Sequence, residues 1–254
     1  GWLPERYFNN SSACERAYAE GKLNSAAAWN SIPYIDPERD PSWPVTTSVG
    51  QEFYKGTGNS FEIELSDFKD AIPFRFDYII FDTCLMGGVE VAYALRDKCN
   101  VLAFSPTEVL AEGLPYREVT KYLLGGKEAD VVGLAKAYMA YYKTLSGVEQ
   151  SATYTVLKTS GMQAVADACK ELFTTFQDNI PNINPDTVQP LFYNSKVHWH
   201  YDMRDIIVNA GASDSDLSRL DKALADCYLF TDTTAEFIGL KINTYSCMSM
   251  FLPC

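Results

Sequence analysis

Histidine is scarce in this chain of 254 residues, which contains only His198 and His200. The seven cysteines include no Cys-x-x-Cys pair. Structural zinc sites are built mainly from these two residue types at close spacing, so we predict no metal site, and no motif indicates a bound cofactor. The odd number of cysteines leaves at least one thiol unpaired within the chain. Most of the seven are predicted to be small buried hydrophobic residues.

Basic residues are also few: 21 Lys and Arg stand against 33 Asp and Glu, which gives a net charge of −12. A nucleic-acid-binding protein needs a basic face that displaces counterions, so we predict no nucleic-acid partner. The acidic balance is compatible with basic substrates. No apolar run is long enough to span a bilayer, and the first residues, GWLPERYFNN, do not resemble a signal peptide.

What the sequence does contain is an alternation of apolar segments with two different periods. Tyr78–Phe81 is apolar without alternation, the pattern of an interior strand covered on both faces. Residues 100–106 predict another strand, which ends in Ser-Pro. Segments with apolar residues every three or four positions, such as residues 128–145, predict helices. Ser66 and Ser160 are predicted helix caps. With an apolar fraction of 47% and no internal repeat, the whole chain 1–254 is predicted to be one α/β domain with a mostly parallel central sheet flanked by helices.

The stretch FDYIIFDTCLMGG, residues 76–88, places an acid and a cysteine at the end of one predicted strand. Functional groups in open α/β sheets gather at the carboxyl ends of the strands. A helix starting near Met86–Gly88 would direct its positive dipole end at Cys84, lower the thiol pKa and favour a nucleophilic thiolate. The alternative is that Cys84 is an ordinary core thiol.

The segment from Phe76 to Tyr116 resembles the nucleophile block of the clostripain-like cysteine peptidases. It has an apolar strand running into Asp-x-Cys, then Leu-Met, a Glu-containing helix, a second strand ending in Ser-Pro, and a Gly-x-Pro-Tyr-like turn. GWLP, SVGQEF, YDMRDII and SCMSMFLP resemble other segments of the same family. The resemblance implies a caspase-like fold and a cysteine endopeptidase that cleaves peptides or proteins after Arg or Lys.

By the same resemblance, Cys84 matches the nucleophile that forms a thioester, and its own N–H would stabilise the oxyanion. Asp82 and Glu112 match acids of the pocket that binds the basic side chain, and Ser105 is included among the substrate-binding residues. Each acid has an alternative interpretation: Asp82 as a cap of the next helix and Glu112 as a solvated loop acid. Glu108 is predicted to be a helix-terminal acid and not a ligand.

The catalytic histidine implied by the resemblance falls just upstream of Gly1, and neither His198 nor His200 matches it. We therefore expect a Cys-His dyad completed by an N-terminal part, which could be a separate chain after self-cleavage at a site such as Arg16 or Lys22. The family also implies a secreted or cell-surface bacterial protein. Two alternatives remain: a catalytically inactive caspase-like binding module, and a different thiol hydrolase.

Overall fold

The computed structural model describes residues 52–53, 60–61, 65–192 and 200–252. Gly1–Pro4, Arg16, Lys22 and His198 lie outside these residues. The described residues fall into two compact units divided after Pro73. In the first unit, strands β1 (Glu52–Phe53) and β2 (Ser60–Phe61) pair antiparallel, and helix α1 spans Leu65–Ala71. Ser66 lies inside this helix, so its prediction as the cap was wrong.

A four-stranded sheet forms the centre of the second unit, in the order β3-β4-β5-β7. These strands are Phe76–Ile80, Cys99–Phe104, Thr153–Lys158 and Tyr228–Thr233. The β3–β4 pair is parallel, whereas β4–β5 and β5–β7 are antiparallel. The α/β class with a central sheet flanked by helices is confirmed, but the prediction of mostly parallel strands was wrong for the described sheet. A strand covered on both faces is apolar whatever its direction, so the pattern did not reveal it.

Helices cover this sheet and connect its strands. They are α2 (Val89–Ala94), α3 (Tyr116–Leu124), α4 (Val131–Thr144), α5 (Met162–Thr175), α6 (Met203–Asn209) and α7 (Asp214–Cys227). Asp130 caps α4 by accepting a hydrogen bond from the Gly133 amide. Helix α5 instead follows a short 3-10 turn with Gly161 at its N-cap and no side-chain cap, so the predicted cap by Ser160 was wrong.

The core of the second unit lies between α4 and one face of the sheet. Tyr138 and Tyr142 of α4 pack with Tyr154 of β5, and all three are buried. Neighbouring residues on a strand point to opposite faces, and Leu102, Phe104 and Leu157 are also buried. Both faces of the sheet are therefore covered, which restricts solvent-accessible chemistry to the ends of its strands.

A short antiparallel pair lies beside the segment that follows β3. It consists of β6 (His200–Asp202) and β10 (Ser249–Phe251). Gly88 forms a bridge to Ser249, and the Ser249 amide donates to the Gly87 carbonyl at 2.9 Å. A hairpin of β8 (Glu236–Phe237) and β9 (Leu240–Lys241) precedes β10 in the chain. The C-terminal region thus supports the loop between β3 and α2.

Candidate active site

Cys84 lies in the loop that leaves β3, the edge strand of the described central sheet. The Phe81 amide still donates to the Ala103 carbonyl at 2.9 Å, so regular pairing continues just past the strand. Asp82 and Cys84 follow this last bond. The Cys84 residue is half-buried, which leaves the catalytic interpretation open, since the residue is not sealed in the core.

The loop around Cys84 is fixed to the loop after β4 by main-chain hydrogen bonds. Leu85 N donates to Thr107 O at 2.8 Å, and Gly87 N donates to Ser105 O at 2.9 Å. Leu85 adopts a φ of 60°, a left-handed conformation that costs a non-glycine residue about 1–3 kcal/mol. A Cβ at Gly87 would lie 2.5 Å from the Cα of Pro106, so only glycine permits this approach. Surrounding contacts therefore hold Cys84 in one conformation.

The Cys84 sulfur is hydrogen bonded to the main chain of Val109. The Val109 amide donates to Sγ at 3.2 Å, and the thiol can donate to the Val109 carbonyl at 3.4 Å. Desolvation by burial raises the pKa of the Cys84 thiol; the Val109 amide opposes this change, and the negative charge of Glu108 adds to it. The expectation of a lowered pKa was wrong, because desolvation by burial outweighs the Val109 amide, and α2 has only six residues.

The Asp82 carboxylate accepts two hydrogen bonds from the segment just before and at the start of α3. Leu114 N donates to Oδ1 at 3.0 Å, and the Tyr116 hydroxyl donates to Oδ2 at 2.5 Å. Gly113, at a φ of +61°, brings its backbone so close that a Cβ would lie 2.9 Å from Oδ2. Asp82 therefore holds the loop before α3 in place by hydrogen bonds. It does not cap α2, whose N-cap residue Gly88 has no side-chain hydrogen bond.

Glu112 is exposed and lies in the same loop as Gly113. The Tyr142 hydroxyl donates to the Gly113 carbonyl at 2.9 Å. Burial raises the pKa of Tyr142, and the negative charges of Glu112 and Asp82 raise it further. Both carboxylates thus act on one phenol, so the fold places the two predicted acids in one neighbourhood.

Ser105 occupies a different setting from the two acids. Its hydroxyl is fully buried and lies 2.8 Å from Thr153 Oγ1 and 3.2 Å from Thr107 Oγ1. Thr107 and Thr153 are themselves 2.8 Å apart, so three hydroxyls form a closed triangle beneath the loop. These contacts stabilise the segment that pairs with Leu85 and Gly87. A direct contact between Ser105 and substrate stays a prediction.

The remaining two candidates are buried residues. His200 lies on β6 and is buried. Glu108 is also buried, in the turn after β4, and no helix begins there, because α3 starts at Tyr116. The expectation that Glu108 is a helix-terminal acid was therefore wrong.

Sequence reasoning missed several groups that shape this site: the Val109 main chain, Tyr116, and the hydroxyls of Thr107 and Thr153. Tyr116 belongs to the Gly-Leu-Pro-Tyr turn that carries part of the family resemblance, so a signal for it was present. Val109 contributes only main-chain atoms to the sulfur, and no residue type predicts that.

Comparisons with known proteins agree on one family. The model of the clostripain family, Peptidase_C11, matches residues 38–233. None of the curated proteins matches the chain. Among the described residues, no helix is long and apolar enough to cross a membrane.

Solved structures give the same result. An inactive zymogen C11 protease from Parabacteroides distasonis is 29% identical, with a TM-score of 0.67 over 75% of this chain and 57% of that one. A clostripain from Bacteroides thetaiotaomicron in complex with the peptide inhibitor BTN-VLTK-AOMK is 26% identical, with a TM-score of 0.65 over 75% and 86%. A secreted C11 cysteine protease from the same species is 26% identical over 75% and 55%, also with a TM-score of 0.65. The match thus spans little more than half of two of these relatives.

Proposed function

Since the chain belongs to the clostripain family of cysteine peptidases, we propose that it is an endopeptidase that cleaves on the carboxyl side of Arg or Lys with Cys84 as nucleophile. The observation that carries the proposal is the position of Cys84 and Asp82 two residues apart at the end of β3, with Glu112 in the loop bonded to Asp82. The end of β3 and the loop bonded to it thus supply a sulfur and two carboxylates.

The raised pKa of Cys84 determines what else the reaction needs. At neutral pH the group is a thiol, so a general base must accept its proton as sulfur attacks the scissile carbonyl carbon. We propose a histidine from outside the described residues for this role, forming a Cys-His dyad. The S–C bond forms, the base returns its proton to the leaving amine, and the C–N bond breaks. Water then hydrolyses the thioester and regenerates the thiol.

Recognition of a basic side chain follows from the two carboxylates. Asp82 is oriented by the Leu114 amide and the Tyr116 hydroxyl, and a carboxylate is the natural partner of a guanidinium or ammonium group. Glu112, which is exposed, adds negative charge in the loop that is hydrogen bonded to Asp82. The inhibitor bound by the 26% identical clostripain has a peptide part, VLTK, that ends in lysine, which supports a basic residue at this position.

Maturation and location form a further part of the proposal. One relative is described as an inactive zymogen and another as a secreted protease. We propose that this protein is likewise matured by self-cleavage, keeps its N-terminal segment as a partner chain, and acts outside the cell or at its surface.

Turnover of fluorogenic peptides tests the proposed reaction. Matched substrates should carry Arg, Lys or Leu before the scissile bond. We expect cleavage of the Arg and Lys peptides only, and a loss of at least ~1000-fold in kcat for Cys84→Ala, because the nucleophile is removed. Cys169→Ala, at a buried thiol on α5, is the matched control and should retain activity.

The alternative, a catalytically inactive binding module, is favoured by one observation: both hydrogen-bonding atoms found for the Cys84 sulfur in the described chain belong to the Val109 main chain. Binding of basic peptides without turnover by the full-length protein would support that alternative. Turnover that persists in Cys84→Ala would instead contradict both functions.

A further inference from the structure

The Asp82 carboxylate is already partly occupied by its own chain. Leu114 N bonds to one oxygen at 3.0 Å and the Tyr116 hydroxyl bonds to the other at 2.5 Å. The Gly113 backbone closes a third side, since a Cβ there would lie 2.9 Å from Oδ2 and 3.0 Å from Oδ1. The approaches that remain for a substrate cation are therefore narrow.

The two basic side chains differ in what they require of such a carboxylate. An ionised carboxylate offers about four acceptor positions, two on each oxygen. With one position on each oxygen taken, a guanidinium fork must find the two that remain in a single plane. An ammonium group is a compact charge that needs only one of them. Occupation by Leu114 and Tyr116 consequently penalises arginine more than lysine.

Of the two donors, the Tyr116 hydroxyl is the one that belongs to a side chain and is open to substrate. The residue is 60% exposed, although its hydroxyl ends on Asp82. The hydrogen bond to Asp82 raises the pKa of Tyr116, so the phenol stays a donor at neutral pH. The Leu114 amide, in contrast, belongs to a buried residue of the loop.

We propose that Tyr116 is a specificity-determining residue that limits Asp82 to a single-point contact and so selects lysine over arginine. This inference rests on the proposed recognition of basic side chains. It concerns binding and not the chemical step, so it can be tested without turnover.

The test measures calorimetric binding of two acetylated tetrapeptides, identical except for a C-terminal Lys or Arg, to the full chain carrying Cys84→Ala. We expect the Arg peptide to bind about five-fold more weakly, a fraction of the effect of one hydrogen bond to a charged group. Adding Tyr116→Phe should bring the two dissociation constants to within about two-fold, mainly by tightening the Arg peptide. The matched control is Tyr93→Phe, which removes another tyrosine hydroxyl bonded to a side chain, that of Gln163 at 3.2 Å. Tyr93→Phe should leave the ratio of the two dissociation constants unchanged.

Three results would overturn the proposal: a Lys-to-Arg ratio that is the same with and without the Tyr116 hydroxyl, an equal weakening of both peptides by Tyr116→Phe, or no measurable binding of either peptide. None of these depends on catalysis. If the peptides bind as expected but the protein with intact Cys84 cleaves neither, the specificity assignment stands and the proposed peptidase reaction fails.

Discussion

At the residue scale, the ionisation of the Cys84 sulfur determines how reactive the site is. Cys84 lies at a strand end, yet burial and the nearby charge of Glu108 raise its thiol pKa. The family motif predicts which cysteine is the nucleophile and which acid precedes it. It could not predict the state of the sulfur, because the opposing contributions come from Val109 and Glu108, some 25 residues further along the chain.

Alkylation of Cys84 by iodoacetamide is therefore expected to be slow at pH 7–8 compared with an unfolded cysteine. A raised pKa means less thiolate at any given pH, and only the thiolate reacts. The rate should still be rising above pH 9, the ordinary value for a thiol. Quenched time points analysed by peptide mapping measure each cysteine separately.

The same protein unfolded in urea serves as the reference for this experiment, and buried Cys169 serves as the internal control, since burial also raises its pKa, to about 12. Labelling of folded Cys84 at pH 7 faster than in urea would show that the thiolate is stabilised and that the assigned ionisation is wrong.

At the element scale, the site depends on two loops that follow neighbouring parallel strands, β3 and β4. The sequence predicted both strands from their apolar runs. The expectation that Tyr78–Phe81 is an interior strand covered on both faces was wrong for the described sheet, because β3 is an edge strand whose residues are exposed or only partly buried. Nor did the sequence predict the antiparallel direction of β5 and β7. Strand direction is set by the connections, and those pass through helices whose pattern is the same in either case.

Gly87 is predicted to be irreplaceable within this pair of loops. A Cβ in Gly87→Ala would lie 2.5 Å from Pro106 backbone atoms, and neither backbone can move without breaking the bond from Gly87 N to Ser105 O. We expect the free energy of unfolding to fall by about 1–3 kcal/mol, as for other overpacked sites. Urea denaturation followed by circular dichroism measures it.

The neighbouring Gly88 provides the comparison, because it has an ordinary extended conformation and a Cβ there would meet the end of the Glu90 side chain at 3.0 Å, not backbone. Gly88→Ala should lower the free energy of unfolding clearly less than Gly87→Ala does. Equal losses would mean that the close approach to Pro106 is not the cause.

At the scale of the whole molecule, stability depends on a carboxyl group that joins α2 to the C-terminal strand. Glu90 Oε1 accepts a hydrogen bond from Phe251 N at 3.4 Å, while Oε2 is buried and has no hydrogen-bond partner in the described part of the chain. Burial raises the pKa of Glu90 to about 7. Neither feature was visible in the sequence, where Glu90 was one acid among 33.

Glu90 should make the folded protein less stable as the pH rises. Its folded pKa, about 7, exceeds the ordinary value of 4.5, so the folded state binds the proton more tightly. This stabilisation is complete below pH 4.5 and is lost as the pH rises through 7. At pH 8, the free energy of unfolding of Glu90→Gln should exceed that of the wild type by on the order of 2–3 kcal/mol. At pH 5 the difference should be small.

Urea unfolding of both proteins at pH 5, 6.5 and 8 measures this difference. Asp67→Asn, at an exposed acid of α1, controls for the general effect of removing one negative charge. A gain for Glu90→Gln that does not depend on pH would contradict the assigned ionisation.

The loop from Val109 to Tyr116 is hydrogen bonded at both of its ends to residues of the candidate site. One end of that loop touches the sulfur through Val109, and the other touches Asp82 through Leu114 and Tyr116. Eight consecutive residues are therefore bonded both to the proposed nucleophile and to the proposed recognition acid. Under the proposed function, we expect insertions or deletions in this loop to change turnover and substrate preference together.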